Sequence, residues 1–182
     1  MAKARIGVLG AGLMGHGIAQ VFALSGHEVR VYDPSAQALS TLRERIANNL
    51  RDLDEDEGAA ERVSPSSTIE DCVSAADFVV EAALEDLGVK QKLFAEVERY
   101  APASAVLASN TSVIPITDIM RDIKDGARTV GTHWWNPPFL VPLVEVIGTD
   151  RTSQQTIDVT MELHQAIGKT PVHVKKDVPG FV

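Results

Sequence analysis

Short apolar runs alternate along this chain with longer segments in which apolar positions recur every three or four residues. "RIGVLG" (5–10) has the continuous apolar pattern of a buried strand, and "LMGHGIAQVFALSG" (13–26) reads as a helix closing on Gly26. "HEVRVYD" (27–33) alternates with period two, as a strand with one face inward does. "SAQALSTLRERIANNL" (35–50) has helical spacing behind a serine able to cap it. "RDLDEDEGAAERV" (51–63) is acidic and weakly apolar, which predicts a helical excursion or a solvated loop. Further strands are read at "ADFVVEA" (76–82), "AVLASN" (105–110), "TVGTHWW" (129–135), "LVEVIG" (143–148) and "KTPVHVKK" (169–176). Helices are read between them at "LGVKQKLFAEVERY" (87–100), "ITDIMRDI" (116–123) and "SQQTIDVTMELHQAIG" (153–168).

Strands alternating with helices imply βαβ units, hence an α/β fold of the Rossmann type with a doubly wound, mostly parallel sheet. The strands near 129–134 and 141–148 are joined too tightly for a helical crossover, so they should pair antiparallel at the sheet edge. The 182 residues, taken as one domain (1–182), suffice for one good core. A net charge of −8 argues against nucleic-acid or anionic-membrane partners, which need a positive field. The single cysteine, Cys72, leaves no internal disulfide framework or cysteine-rich metal site and suits a reducing cytoplasm. The N-terminal "MAKARIGVLGAGLMG" copies a signal peptide only superficially, because glycines, His16 and Gln20 interrupt its apolar run. No stretch has the apolar length of a membrane span.

Gly10-Ala11-Gly12-Leu13-Met14-Gly15 has G-x-G-x-x-G spacing between a strand and a helix. A second strand follows and ends in Asp33, 18 positions after Gly15, where the ribose-binding acid of a dinucleotide fold should lie. Gly10 permits the tight turn, Gly12 lets backbone approach a pyrophosphate, and Gly15 lets the helix press on the strand. The bland alternative is a glycine-rich turn with no ligand. Asp33 favours NAD over NADP, since a carboxylate repels a 2′-phosphate and can accept from both ribose hydroxyls.

"GTHWWNPPFLVPLVEV" (131–146) places His133 beside both tryptophans, turns through Pro137 and Pro138, and returns to Glu145. Two strands with a polar residue on each arm are consistent with plain core architecture. They are equally consistent with a general base and the carboxylate that orients it.

With "GLMGHGIAQ", "ADFVVEAALEDLGVKQKLF", "ASNTS", "H-x-x-N-P" and "LVEVI" in this order, the chain resembles the 3-hydroxyacyl-CoA dehydrogenase family from Arg5 to Val182. The resemblance implies that His133 is the general base and Glu145 its partner. It implies substrate contacts from Ser112 and Asn136. Around the cofactor it implies Gly10, Gly12, Leu13, Met14, Gly15 and Asp33, with Glu85, Lys90 and Asn110 on the nicotinamide side. The plain readings are a solvated helix start for Glu85 and Lys90, and a cap of the "IPITDIM" helix for Ser112. The closing "DVPGFV" resembles the start of the family's hinge, which leads into an all-helical, dimerising second domain absent from this sequence. A homodimer is expected for a full-length form and weaker association for this one.

The implied reaction is NAD-dependent oxidation of a secondary 3-hydroxyl to a 3-ketone, first of all on a 3-hydroxyacyl-CoA, with no metal. Two departures bear on the substrate and keep a free β-hydroxy acid as the competing reading, the second of them being equally a plain solvated face. Trp134 and Trp135 follow the histidine where acyl-CoA members commonly have phenylalanines, and "NPPFLVPLVE" is similar to the lambda-crystallin (gulonate dehydrogenase) and carnitine dehydrogenase branch. Six acids lie between Arg51 and Arg62, a poor docking surface for anionic coenzyme A. A non-catalytic NAD-binding or crystallin-like protein is the alternative of another class. The joint presence of His133, Glu145, Ser112 and Asn136 speaks against it.

Overall fold

The computed structural model describes residues 3–180, so the ends of the 1–182 domain, including Phe181 and Val182 of the hinge-like "DVPGFV", lie outside the described residues. The strands are β1 (Arg5–Leu9), β2 (Glu28–Tyr32), β3 (Val63–Ser66), β4 (Phe78–Glu81), β5 (Val106–Ser109), β6 (Thr129–Trp134), β7 (Leu143–Ile147) and β8 (Thr170–Val174). They form one sheet in the order β3-β2-β1-β4-β5-β6-β7-β8. From β3 to β6 every pairing is parallel, β6 and β7 are antiparallel, and β8 runs parallel to β7 at the edge. The doubly wound, mostly parallel fold with a reversed edge pair is thus present.

The helices are α1 (Leu13–Leu24), α2 (Ala36–Ser40), α3 (Leu42–Asp52), α4 (Ile69–Val73), α5 (Leu87–Tyr100), α6 (Ile116–Ile119) and α7 (Gln154–Ala166). Period-two alternation in the strands divides the core into two layers. Val8, Val31, Val80, Ala108 and Val130 face α1, α3 and α7, meeting Ile18, Phe22, Ile46 and Leu163. Leu9, Val79, Leu107 and Ile147 face the opposite way, onto Cys72, Phe94, Val97, Ile116 and Ile119. The core strands are buried on both sides, which is why they read as apolar runs. No helix of the described residues is long and apolar enough to cross a membrane.

The chain departs from the sequence reading in three places. The 35–50 segment breaks at Thr41 into α2 and α3, where the Ser40 and Thr41 hydroxyls both donate to the Gln37 carbonyl and compete with the helical ladder. The helical excursion read for the acidic stretch is present: residues 57–62 form a 3-10 helix that buries Ala59 and Ala60. Strand β3 has no counterpart in the apolar pattern, because Pro65 interrupts it. On a sheet edge that proline is tolerated. Helix α6 is one turn, shorter than its apolar pattern predicts, because Met120 closes it.

Candidate active site

One register row crosses the sheet: Tyr32, Leu9, Glu81, Ser109, Gly131, Ile147 and Val174 are successive partners. Just beyond it, β1 and β4 send their connections to opposite faces, and the crevice at such a switch point is where open α/β sheets bind ligands. The glycine loop enters this crevice from β1. Gly10 has φ +106°, and a Cβ there would meet the Ala82 carbonyl, so only glycine fits. A Cβ on Gly15 would land on the Gly10 carbonyl, which enforces close contact between helix and strand. Gly12, the N-cap of α1, would place a Cβ in open space, so its backbone is approachable from outside. No side chain caps α1 and no acid lies in its first turn, so its positive end is offered outward, beside exposed Leu13 and half-buried Met14.

Asp33 links this loop to the turn after β2, accepting from the Ala11 amide at 2.7 Å and the Ser35 amide at 2.8 Å. Its oxygens keep lone pairs for further donors. Approachable Gly12, uncapped α1 and Asp33 together fit the pyrophosphate and ribose of a dinucleotide. Two braces of this loop escape the sequence reading. Arg45 of α3 donates to the Ala11 and Ala38 carbonyls, and His16 bonds the Gly12 carbonyl through Nδ1 and Asn49 through Nε2. Burial pushes the His16 imidazole below its ordinary range, outweighing the Gly12 carbonyl. A lone polar residue inside an amphipathic helix gives no sequence sign of either role.

The centre of the crevice rests on a buried ion network. Glu81, fully buried, accepts from Lys90 Nζ at 2.7 Å, Ser109 Oγ at 2.6 Å and the Ala83 amide at 2.7 Å. Lys90 also lies 3.2 Å from Glu85, whose carboxylate accepts from the Thr111 hydroxyl and the Ser112 and Val113 amides. Burial alone would raise the Glu85 carboxyl, but the Thr111 hydroxyl, the Lys90 charge and the Ser112 amide hold it below the usual range. Lys90 is therefore not a solvated helix start. It is sealed beneath Glu85, which is the member that reaches the crevice. Glu81, which the sequence reading does not single out, is the hub.

On β6 and β7, His133 and Glu145 are cross-strand partners, and Glu145 Oε2 lies 2.6 Å from His133 Nδ1. Glu145 is buried, whereas the His133 side chain keeps 13% of its surface, beside the exposed Trp135 ring at 5.3 Å. Trp134 points to the other face and is buried. Its amide donates to Asn110 Oδ1 at 2.8 Å, which ties the end of β5 to the end of β6. Ser112 and Asn136 are exposed on the loops that follow these two strands. Ser112 does not cap α6: its own amide bonds Glu85, and Pro115 stands at the cap position. The structure thus brings His133 and Glu145 into contact, and Glu85, Lys90 and Ser112 into one network. It leaves Asn136 at the rim.

Comparison with known proteins agrees with this geometry. The chain is 38% identical to the L-carnitine dehydrogenase of Streptomyces griseus over 182 residues, covering 98% of this chain and 54% of that one. It is 37% identical to a probable 3-hydroxyacyl-CoA dehydrogenase of Caenorhabditis elegans, covering 96% of this chain and 60% of that one. The crystal structure of 3-hydroxybutyryl-CoA dehydrogenase from Escherichia coli superposes with a TM-score of 0.94 at 36% identity, over 100% of this chain and 40% of that one. The chain therefore spans little more than half the length of these curated relatives. The sequence profile of "3-hydroxyacyl-CoA dehydrogenase, NAD binding domain" matches residues 5–178, so the chain belongs to the 3-hydroxyacyl-CoA dehydrogenase family through its NAD-binding domain, and NAD is its cofactor.

Proposed function

We propose that the protein oxidises a secondary 3-hydroxyl to a 3-ketone, reversibly and with NAD, on a 3-hydroxyacyl-CoA. The observation that carries this reading is the contact between His133 and Glu145 beside a dinucleotide crevice. As the hydroxyl is oxidised, its proton passes to Nε2 of His133. Glu145 holds the Nδ1 proton, which fixes the tautomer and stabilises the imidazolium that forms. NAD, held by the glycine loop and Asp33, supplies the acceptor for the hydride that leaves the same carbon. Ser112 and Asn136 offer a hydroxyl and an amide to the substrate oxygen. Glu85, supported by Lys90, and Asn110 border the nicotinamide side. The relatives' greater length supports assigning the full cycle to a longer form of the protein.

A free β-hydroxy acid is the second reading, and the charges of the arm after β2 favour it. Its basic groups are already engaged: Arg51 pairs with Glu57 at 2.6 Å, Arg62 donates to the Ala23 carbonyl, and Arg43 to the Val63 carbonyl. Bonds to carbonyls leave Arg43 and Arg62 cationic, but the acids Asp52, Asp54, Glu55, Asp56, Glu57 and Glu61 outweigh them as a surface for the phosphates of coenzyme A. NADH oxidation by the protein carried through its natural C-terminus separates the readings. Acetoacetyl-CoA should be reduced with the higher kcat/KM. Preference for a free 3-oxo acid such as dehydrocarnitine would establish the second reading. NAD binding without turnover on either substrate would leave a non-catalytic module.

A further inference from the structure

The turn between β6 and β7 is short of hydrogen-bond donors. Pro137, Pro138 and Pro142 have no N–H, and the amides of Leu140 and Val141 both bond the Pro137 carbonyl at 3.0 Å. The carbonyls of Pro138 and Val141 therefore draw on another part of the chain. Lys169 supplies both bonds. Its ammonium donates to the Pro138 carbonyl and, at 3.0 Å, to the Val141 carbonyl, and it lies 5.2 Å from the centroid of the Trp134 ring. Lys169 is placed for this by Gly168, whose φ of +80° turns the chain out of α7 and into β8. On its other side the turn presses on α1, where a Cβ at Gly17 would come within 2.5 Å of Pro138. Desolvation of the half-buried ammonium lowers its pKa, consistent with a lysine used inside the fold.

We infer that Lys169 is a positioning residue of the His133–Glu145 site: one ammonium clamps the proline turn against α1 and so fixes Trp135 and Asn136 relative to His133. The inference rests on the oxidoreductase reading, but the clamp itself can be measured without activity. In the full-length protein, Lys169→Met should raise amide hydrogen exchange at Leu140 and Val141 about tenfold, the equivalent of one good hydrogen bond, with β1 and β4 amides unchanged. NAD affinity should stay within about twofold, kcat should fall about tenfold, and Lys169→Arg should restore most of both losses. Unchanged exchange at Leu140 and Val141 would overturn the clamp. Raised exchange with unaltered kcat, or a parallel loss of NAD affinity, would overturn the positioning role. If Lys169→Met does not fold, Lys169→Gln carries the same comparison. A parent without dehydrogenase activity would refute the function while the exchange data still decide the clamp.

Discussion

His133 and His164 lie on opposite sides of β6. His133 is on the strand itself, part-exposed, with the Glu145 carboxylate on Nδ1. His164 rises from α7 against the other face, fully buried among Phe22, Phe78 and Trp134, with Nδ1 donating to the Thr160 carbonyl at 2.8 Å. Burial pushes the His164 imidazole down to about 4, with the Thr160 carbonyl opposing and the Lys169 charge reinforcing the shift. A buried histidine that meets only a carbonyl and aromatic rings is a neutral packing element. A carboxylate directly across the strand, together with an opening to the crevice, makes the same side chain a candidate base.

The widest separation between the two should appear in turnover. His133→Gln should lower kcat by about 10²–10⁴-fold with NAD affinity unchanged, whereas His164→Leu should retain most of the turnover. Steady-state kinetics beside NAD titration reads both, and equal losses would erase the distinction. The next effect concerns stability and belongs to His164. Its folded pKa of about 4 lies below the ordinary 6.5, so between these values the unfolded chain binds more protons. Stability should therefore fall as pH is lowered through that window, by up to about 3 kcal/mol. Urea midpoints for wild type and His164→Leu between pH 7 and 4 measure this, and the variant should show the shallower decline. The smallest effect sharpens the role of charge at the other histidine. In a Glu145→Gln variant the new amide oxygen can still accept the Nδ1 proton, but a neutral amide cannot balance an imidazolium. The expected loss in kcat is about tenfold, the difference between a charged and a neutral hydrogen bond. A loss equal to that of His133→Gln would assign Glu145 a larger part than orientation.

Much of this was legible from spacing. The glycine loop and Asp33 act through backbone conformation and one carboxylate at a fixed distance along the chain, and such features survive in one dimension. The tight turn between β6 and β7 likewise predicts that His133 and Glu145 are neighbours. Features that depend on side chains meeting across layers were not visible. Glu81 reads as a polar end to an apolar run, and nothing in the sequence says that Lys90 folds back beneath it. His16 and Arg45 read as ordinary helix positions until α1 and α3 are packed together. Strand β3 is silent because Pro65 and two serines break the apolar run that marks a central strand, and a sheet edge tolerates that proline.

The antiparallel register of β6 and β7 has a consequence for how this region tolerates insertions and deletions. His133 faces Glu145 because Gly131 pairs with Ile147 and Trp134 with Val144. A slip of one residue in β6 would exchange its two faces, turning Trp134 into the crevice and His133 toward α7, and the same slip in β7 would turn Glu145 away from His133. A slip of two would restore the face but move the partners apart. A length change in this hairpin therefore keeps the dyad paired only where residues 135–142 absorb it without shifting either strand, and even there it would displace the turn that Lys169 and α1 hold.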